Sequence, residues 1–309
     1  MAATVVEAAA ADRLLTEEVG LVDRSERGKL ALTGAQAKEL LSGQVTNDIE
    51  ALTPGSGCYA ALLTNKGKML ADLRVLDTGS ELWLDTERVA LQALFDNLRR
   101  GAVGWQAELH KRTLQQALLS LVGPHAARAV GGEVGPELAN RAAQLRGADV
   151  LLIATDLGVD VVCAAEDAER VRGALEIPVV PEAAAEVLRV ESGRPRYGLD
   201  LDDATIPQEG GLNERAVSFT KGCYVGQETV ARLHYRGKPN RHLRGLRLSD
   251  AVATGTPLVL GEREVGRVGS SVVSPRFGPI GLALVRREAS VGDELAAGEA
   301  RAVVAELPF

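Results

Sequence analysis

The sequence predicts an α+β protein of more than one domain that ends in a small closed β domain. Three observations carry this. The chain has 309 residues, longer than one ordinary domain, so two or three are expected. Up to about residue 240, strand-like and helix-like runs alternate. From Arg241 onward the texture changes to short β-like runs at 243–248, 256–260, 264–271 and 281–285, separated by Gly-rich turns, the spacing of a small barrel. Only 3% of the residues are aromatic, so the core has to be built from Ala, Val and Leu.

Element by element, residues 29–32 read as a short strand, and Thr33 is placed to cap a helix over 35–41. Runs 58–63 and 69–76 read as two strands of a hairpin around Asn65-Lys66-Gly67, followed by a strand at 81–85. Over 87–100 the apolar residues Val89, Leu91, Leu94, Phe95 and Leu98 keep helical spacing. A second set follows: a strand at 114–121, a helix after Gly123-Pro124, strands near 150–154 and 159–163, and a helix over 165–175. Pro124 and Pro181 sit where a first helical turn tolerates proline, and the helix 182–190 delivers Glu191 at its end. Gly55-Ser56-Gly57-Cys58-Tyr59-Ala60 matches G-x-G-x-x-A. It follows Pro54 and precedes a β-like run, so it reads as a turn into a strand and not as a dinucleotide loop.

Composition excludes several functions. A net charge of -7 argues against a general nucleic-acid binder, which has to neutralise phosphates. No apolar run approaches the length of a membrane span. Residues 1–7 lack a basic region and reach Glu7 early, so they read as a frayed or helical lead-in and not as a secretory signal. The three cysteines, Cys58, Cys163 and Cys223, form no C-x-x-C pair, and the four histidines give no H-E-x-x-H. Neither a disulfide framework nor a protein-built metal or iron–sulfur site is indicated, and a cytoplasmic location fits best. Cys58 and Cys163 lie in apolar β-like runs and read as small core residues.

The richest stretch is Lys221-Gly222-Cys223-Tyr224-Val225-Gly226-Gln227-Glu228. It sets a thiol near a cation, between glycines and ahead of a helix-like run. Both the cation and a helix N-terminus favour the thiolate. The alternative is a tight turn with a half-buried cysteine. Further on, Arg232, Arg236, Lys238, Arg241, Arg244 and Arg247 form a basic run without an acid. That run reads as a solvated face, a grip for carboxylates, or a nucleic-acid contact.

The octapeptide resembles the signature of YgfZ-type folate-binding proteins, relatives of the glycine-cleavage T-protein. Other segments fit the same superfamily in order: Gly43-Gln44-Val45-Thr46-Asn47-Asp48, the hairpin Asn65-Lys66-Gly67-Lys68 through Asp72-Leu73-Arg74, Arg189-Val190-Glu191-Ser192-Gly193 through Tyr197-Gly198, and Ile206-Pro207-Gln208-Glu209. The resemblance implies two αβ modules and a C-terminal barrel. A discontinuous folate-binding module would take 1–50 and 114–240, an inserted module 51–113, and the barrel 241–309.

It also implies a cofactor, tetrahydrofolate or a one-carbon derivative, lying across the centre of the three domains. Glu191 would accept two bonds from the amidine-like edge of the pterin. Its other reading is a helix-terminal glutamate in a surface salt bridge. Arg189, Tyr197, Gly222, Tyr224, Gln227 and Glu228 would line the same site, and Arg232 with Arg236, four apart, would hold the glutamate tail. T-proteins carry two adjacent acids in the hairpin. Here Ala71 takes the first place and Asp72 the second, which puts transferase activity in doubt; an exposed strand position is the other reading of Asp72.

The functional expectation from the octapeptide is support of iron–sulfur cluster assembly or repair, with Cys223, Lys221 and Asp72 as the chemical groups and iron–sulfur client proteins as partners. Two alternatives stand beside it: a folate-dependent aminomethyltransferase, and a non-catalytic folate-responsive scaffold.

Overall fold

The structure is a computed structural model that describes residues 8–309, so the lead-in expected at 1–7 lies outside the described residues. The fold is α+β, and the chain divides into two compact units. The first takes residues up to Leu62, Ala71–Ala185 and Lys221–Tyr224; the second takes Leu63–Leu70, Glu186–Thr220 and Val225–Phe309.

The first unit contains two five-stranded sheets. One has the order β3 (Gly57–Leu63), β4 (Met69–Asp77), β5 (Leu82–Thr86), β2 (Gly28–Thr33), β6 (Glu108–Lys111). The other has the order β1 (Gly20–Asp23), β7 (Gln116–Val122), β10 (Gly158–Ala164), β9 (Ala148–Thr155), β8 (Asn140–Leu145). Strand β7 shows why these residues form a central strand. Its residues after Gln116 are all buried, because both of its faces are covered. Leu119 and Leu121 face a cluster with Val159 and Val161 of β10 and with Val171 and Leu175, a turn apart on α5 (Ala168–Leu175). Leu118 faces the opposite way, into a cluster with Ile153, Val162, Leu76 and Trp83 that packs one sheet on the other. Both clusters are built mainly from Ala, Val and Leu.

The remaining helices of this unit are α1 (Ala8–Glu17), α2 (Ala37–Gln44), α3 (Leu91–Gly101) and the single turn α4 (Ala126–Ala129). α6 (Glu182–Glu191) follows α5 and ends at the turn that carries Glu191. The second unit adds α7 (Asn213–Ala216), α8 (Gln227–Arg236) and a closed barrel. The barrel order is β11 (Arg241–Leu248), β14 (Gly278–Arg286), β13 (Arg263–Ser274), β12 (Pro257–Leu260), β15 (Glu294–Ala297), β16 (Ala300–Ala305). Its interior is again aliphatic, with Leu246, Leu258, Val265, Val285, Leu295 and Val304 fully or almost fully buried.

Several expectations change. The division drawn at residue 50 falls inside a sheet: β2 lies between β5 and β6, so 28–33 belongs with 57–86 and not with β1. Thr33 does not cap α2. Its hydroxyl lies 2.8 Å from His110 Nε2 across the β2–β6 pair, and the helix opens after Gln36 without a side-chain cap. The helix after Pro124 is one turn long, stopped by Gly131 and Gly132. Edge strands β6 and β8 carry no strand signal of their own, because Glu-Leu-His-Lys and Asn-Arg-Ala-Ala-Gln-Leu hold no β-branched residue; cross-strand pairing makes them strands. The G-x-G-x-x-A stretch is a turn running into β3.

Candidate functional site

In the first unit, side chains at alternate positions of β4 share a face, which brings Asp72 and Arg74 together. Asp72 is 6% exposed, and Tyr59 of β3 donates its phenolic hydrogen to Asp72 Oδ2 at 2.5 Å. Burial pushes the Asp72 carboxyl up to about 6. Glu87 adds to the rise, against the bond from Tyr59 and the charge of Arg27. Asp72 is therefore an interior residue able to hold a proton near neutral pH, and the exposed-strand reading is set aside.

Next to it lies a buried ionic lattice. Arg27 Nε donates to Asp85 Oδ1 at 2.8 Å, Arg74 Nε to Asp85 Oδ2 at 2.6 Å, and Arg74 also bridges to Asp160 of β10 at 2.6 Å. Burial pushes the Asp85 carboxyl up, but Arg27 and Arg74 outweigh it and hold it below the ordinary range. The cross-strand register places Arg74 directly opposite Asp85.

Lys221 is anchored in the same unit. Its ammonium donates to the carbonyls of Ser42, Val45 (3.0 Å) and Asn47 (2.9 Å), three acceptors for three N–H groups. These carbonyls lie at the end of α2 and in the turn after it, where a helix dipole favours a cation. Burial lowers the Lys221 ammonium to about 8, against Asp48, Cys58 and Glu50. The turn is fixed in its own right: Thr46 exchanges two bonds with Ala61, and Asn47 donates to Tyr59 O at 2.8 Å. The expected thiolate-stabilising cation is thus committed to carbonyls, and Lys221 reads as the clasp that holds its loop.

Tyr224 is buried beside it, with its ring 5.2 Å from the Lys221 ammonium, and burial pushes its phenol up to about 12. Gly222 and Cys223 are exposed. Burial pushes the thiols of Cys58 and Cys163 up, to about 12 and about 11. Cys58 is half-buried, Cys163 buried and Cys223 exposed.

In the second unit, Glu191 ends α6 and is 4% exposed. Ser274 donates to its Oε1 at 2.5 Å, and Arg276 pairs with its Oε2. The salt-bridge reading holds for Oε2, whose partner Arg276 is 54% exposed, but not for Oε1, and Glu191 itself is buried. Both partners come from the barrel, some eighty residues on, and no local signal in the sequence marks them. Arg189, expected at the ligand, is a structural hub. Its Nε and two terminal nitrogens donate to Glu186, Asp200, Ser270 and the carbonyl of Arg194, which engages all five N–H groups. Tyr197 is buried, with its hydroxyl 3.5 Å from Met69 O.

Two of the sequence motifs meet here through glycine. Gly67 at the hairpin tip and Gly226 before α8 both have positive φ. A Cβ on Gly226 would lie 2.5 Å from Thr64 O, and one on Gly67 would lie 2.8 Å from the Thr229 side chain. Gln227 and Glu228 open α8, half-buried and exposed respectively. Arg232 and Arg236 are exposed on the same helix. Arg241 is not free for a ligand, since Glu209 of the Pro-Gln-Glu element grips it at 2.9 and 3.2 Å. Phe219 stacks on His234 at 3.8 Å, a pairing the sequence did not suggest. Among the described residues no cluster of His, Cys, Asp and Glu could hold a metal ion, and no helix is long and apolar enough to cross a membrane.

Comparison with known proteins agrees with this architecture. The GCVT N-terminal domain matches residues 4–221, and the glycine cleavage T-protein C-terminal barrel domain matches 241–309. An aminomethyltransferase of Staphylococcus haemolyticus (strain JCSC1435) is 28% identical over 298 residues, covering 90% of this chain and 82% of that protein. The crystal structure of glycine cleavage system aminomethyltransferase T from Bartonella henselae superposes with a TM-score of 0.86 over 98% of this chain and 89% of that one, at 24% identity, which speaks for the fold. With its two sheets, its closed barrel and both domain matches, the chain belongs to the GCVT family, the superfamily of the glycine cleavage T-protein.

Proposed function

We propose that this protein binds reduced folate and serves one-carbon transfer of the aminomethyltransferase kind. The observation that carries the reading is Asp72, a buried carboxyl beside a phenol, able to hold a proton near neutral pH in a chain of this family. The residues present fit a pterin. Glu191 offers a buried carboxylate whose guanidinium partner is half exposed and can exchange for an amidine-like edge. Arg232 and Arg236 would take the glutamate tail, while Arg189 and Tyr197 frame the turn that carries Glu191. Bound tetrahydrofolate would supply the nitrogen that takes the one-carbon unit. The 28% identical relative is named an aminomethyltransferase, which supports this reading.

A second reading rests on Cys223. It is exposed within the YgfZ-like octapeptide, and Ala71 stands where T-proteins have an acid, so the protein would support iron–sulfur enzymes through a thiol. One set of measurements separates the two. Calorimetric titration with tetrahydrofolate should show binding weakened about tenfold or more by Glu191→Ala. An aminomethyl-transfer assay with the lipoyl carrier protein should then report turnover that Asp72→Asn removes and Cys223→Ser spares. If turnover is absent, and Cys223→Ser abolishes support of cluster enzymes while folate still binds, the second reading replaces the first. Equal folate affinity in wild type and Glu191→Ala removes Glu191 from the site.

A further inference from the structure

Arg189 and Arg276 both meet carboxylates in the second unit, on opposite terms. Arg189 is buried and directs all five N–H groups to protein acceptors. Arg276 is more than half exposed, and among the described residues its guanidinium has one hydrogen-bond acceptor, Glu191 Oε2. Its flat end lies 5.6 Å from the centre of the Phe277 ring. The turn that carries Arg276 is fixed without that ion pair. Ser274 Oγ accepts from Arg276 N and Phe277 N at 3.0 Å each, and donates its own hydrogen to Glu191 Oε1. The backbone of Glu191 is held as well, by a bond of 3.0 Å from Phe309 N to its carbonyl. Swinging the Arg276 side chain away therefore breaks one half-exposed ion pair and leaves both the turn and the carboxylate in place.

We propose that Arg276 is a built-in stand-in for the ligand: in the free protein it occupies the Glu191 oxygen that an amidine-like edge takes on binding, and so holds the site's affinity down. The inference rests on the folate reading of Glu191. A guanidinium and the amidine-like edge of a pterin offer the same chemistry, N–H donors side by side in one plane, so the two compete for one carboxylate. The arrangement has a physical reason. A buried carboxylate oxygen without a donor is destabilising, and the empty site would otherwise leave Glu191 in that state. An exposed guanidinium satisfies it at little expense to the ligand, because ion pairs open to water are weak. Arg189 could not serve in this way, since removing it would leave several buried acceptors without a donor at once.

Calorimetric titration of the full chain with tetrahydrofolate at pH 8 tests this in wild type, Arg276→Ala, Glu191→Ala and the double variant. Arg276→Ala should bind about threefold or more tightly than wild type, since the ligand no longer has to break the ion pair. In the Glu191→Ala background the same substitution should change nothing, because no carboxylate is left to compete for. Arg276→Lys, which keeps the charge and loses the paired donors, should fall between wild type and Arg276→Ala. Melting temperatures of the unliganded proteins show whether each has folded, and the second substitution at Arg276 decides the matter if the first has not. If Arg276→Ala binds no more tightly than wild type while Glu191→Ala binds weakly, the proposal is overturned and the folate reading stands. A gain that persists without Glu191 overturns it too. If wild type does not bind tetrahydrofolate, or Glu191→Ala binds it equally well, the folate reading of Glu191 falls and takes the proposal with it.

Discussion

The β4–β5 lattice and the Lys221 loop lie in the same unit and solve one problem, buried charge, in different ways. In the lattice, opposite charges do it. Asp85 accepts from two guanidiniums, while Asp72, one strand away, meets a phenol and keeps a raised pKa. In the loop, three backbone carbonyls accept from the Lys221 ammonium, at the end of α2 and in the turn after it. The difference teaches what each region is for. In the lattice the charged groups are buried, and beside them stands Asp72, the acid of the proposed reaction. In the loop the charged group is the anchor, and the reactive candidate, Cys223, is its exposed neighbour. Removing a charge should therefore damage the lattice globally and the loop locally.

The largest effect is expected from Asp85→Leu, which takes the shared carboxylate from two buried guanidiniums and leaves Arg27 with Glu87 and Arg74 with Asp160. Breaking one side of a buried ion pair costs about 3–5 kcal/mol. Urea denaturation should show the midpoint fall by the corresponding amount; a loss below about 1 kcal/mol would mean that water already reaches Arg27 and Arg74 and that the lattice is not as dry as its burial indicates.

Asp72→Asn sharpens the contrast inside the lattice. The folded carboxyl titrates near 6 and an unfolded one near 4, so the native state binds the extra proton between these values. Asp72's contribution to stability is then fully present below about pH 4 and is lost as pH rises through 6. Asparagine mimics the protonated acid, so the variant should gain about 3 kcal/mol at pH 7.5 and little at pH 4. Parallel stability curves for the two proteins across this range would show that Asp72 is ionised at no cost.

The smallest effect belongs to Lys221→Met, at about 1 kcal/mol of global stability. Its signature is local. Proteolysis should open the chain near 218–226, and hydrogen exchange should speed up there and in the 42–48 turn. Cys223 should be alkylated at a fixed pH about as readily as in wild type, because the ammonium is bonded to carbonyls. A marked slowing would return Lys221 to the role of a thiolate partner.

What was legible in the sequence was local. The 58–63 and 69–76 hairpin, the helix bearing Glu191, the change of texture at Arg241 and the aliphatic core all follow from periodicity, turn residues and composition, because short-range backbone preference sets them. The octapeptide singled out Cys223, and the structure leaves that thiol exposed. What only the tertiary structure decided was partnership. Residues 28–33 joined the 57–86 sheet, Glu209 captured Arg241, and all five donors of Arg189 turned inward. Tyr59 found Asp72 across a strand pair, and Ser274 and Arg276 found Glu191 from more than eighty residues away. The physical reason is that a buried charge is satisfied by whichever group the packed fold brings within about 3 Å. That distance is set by how sheets and barrel close, which no run of neighbouring residues records.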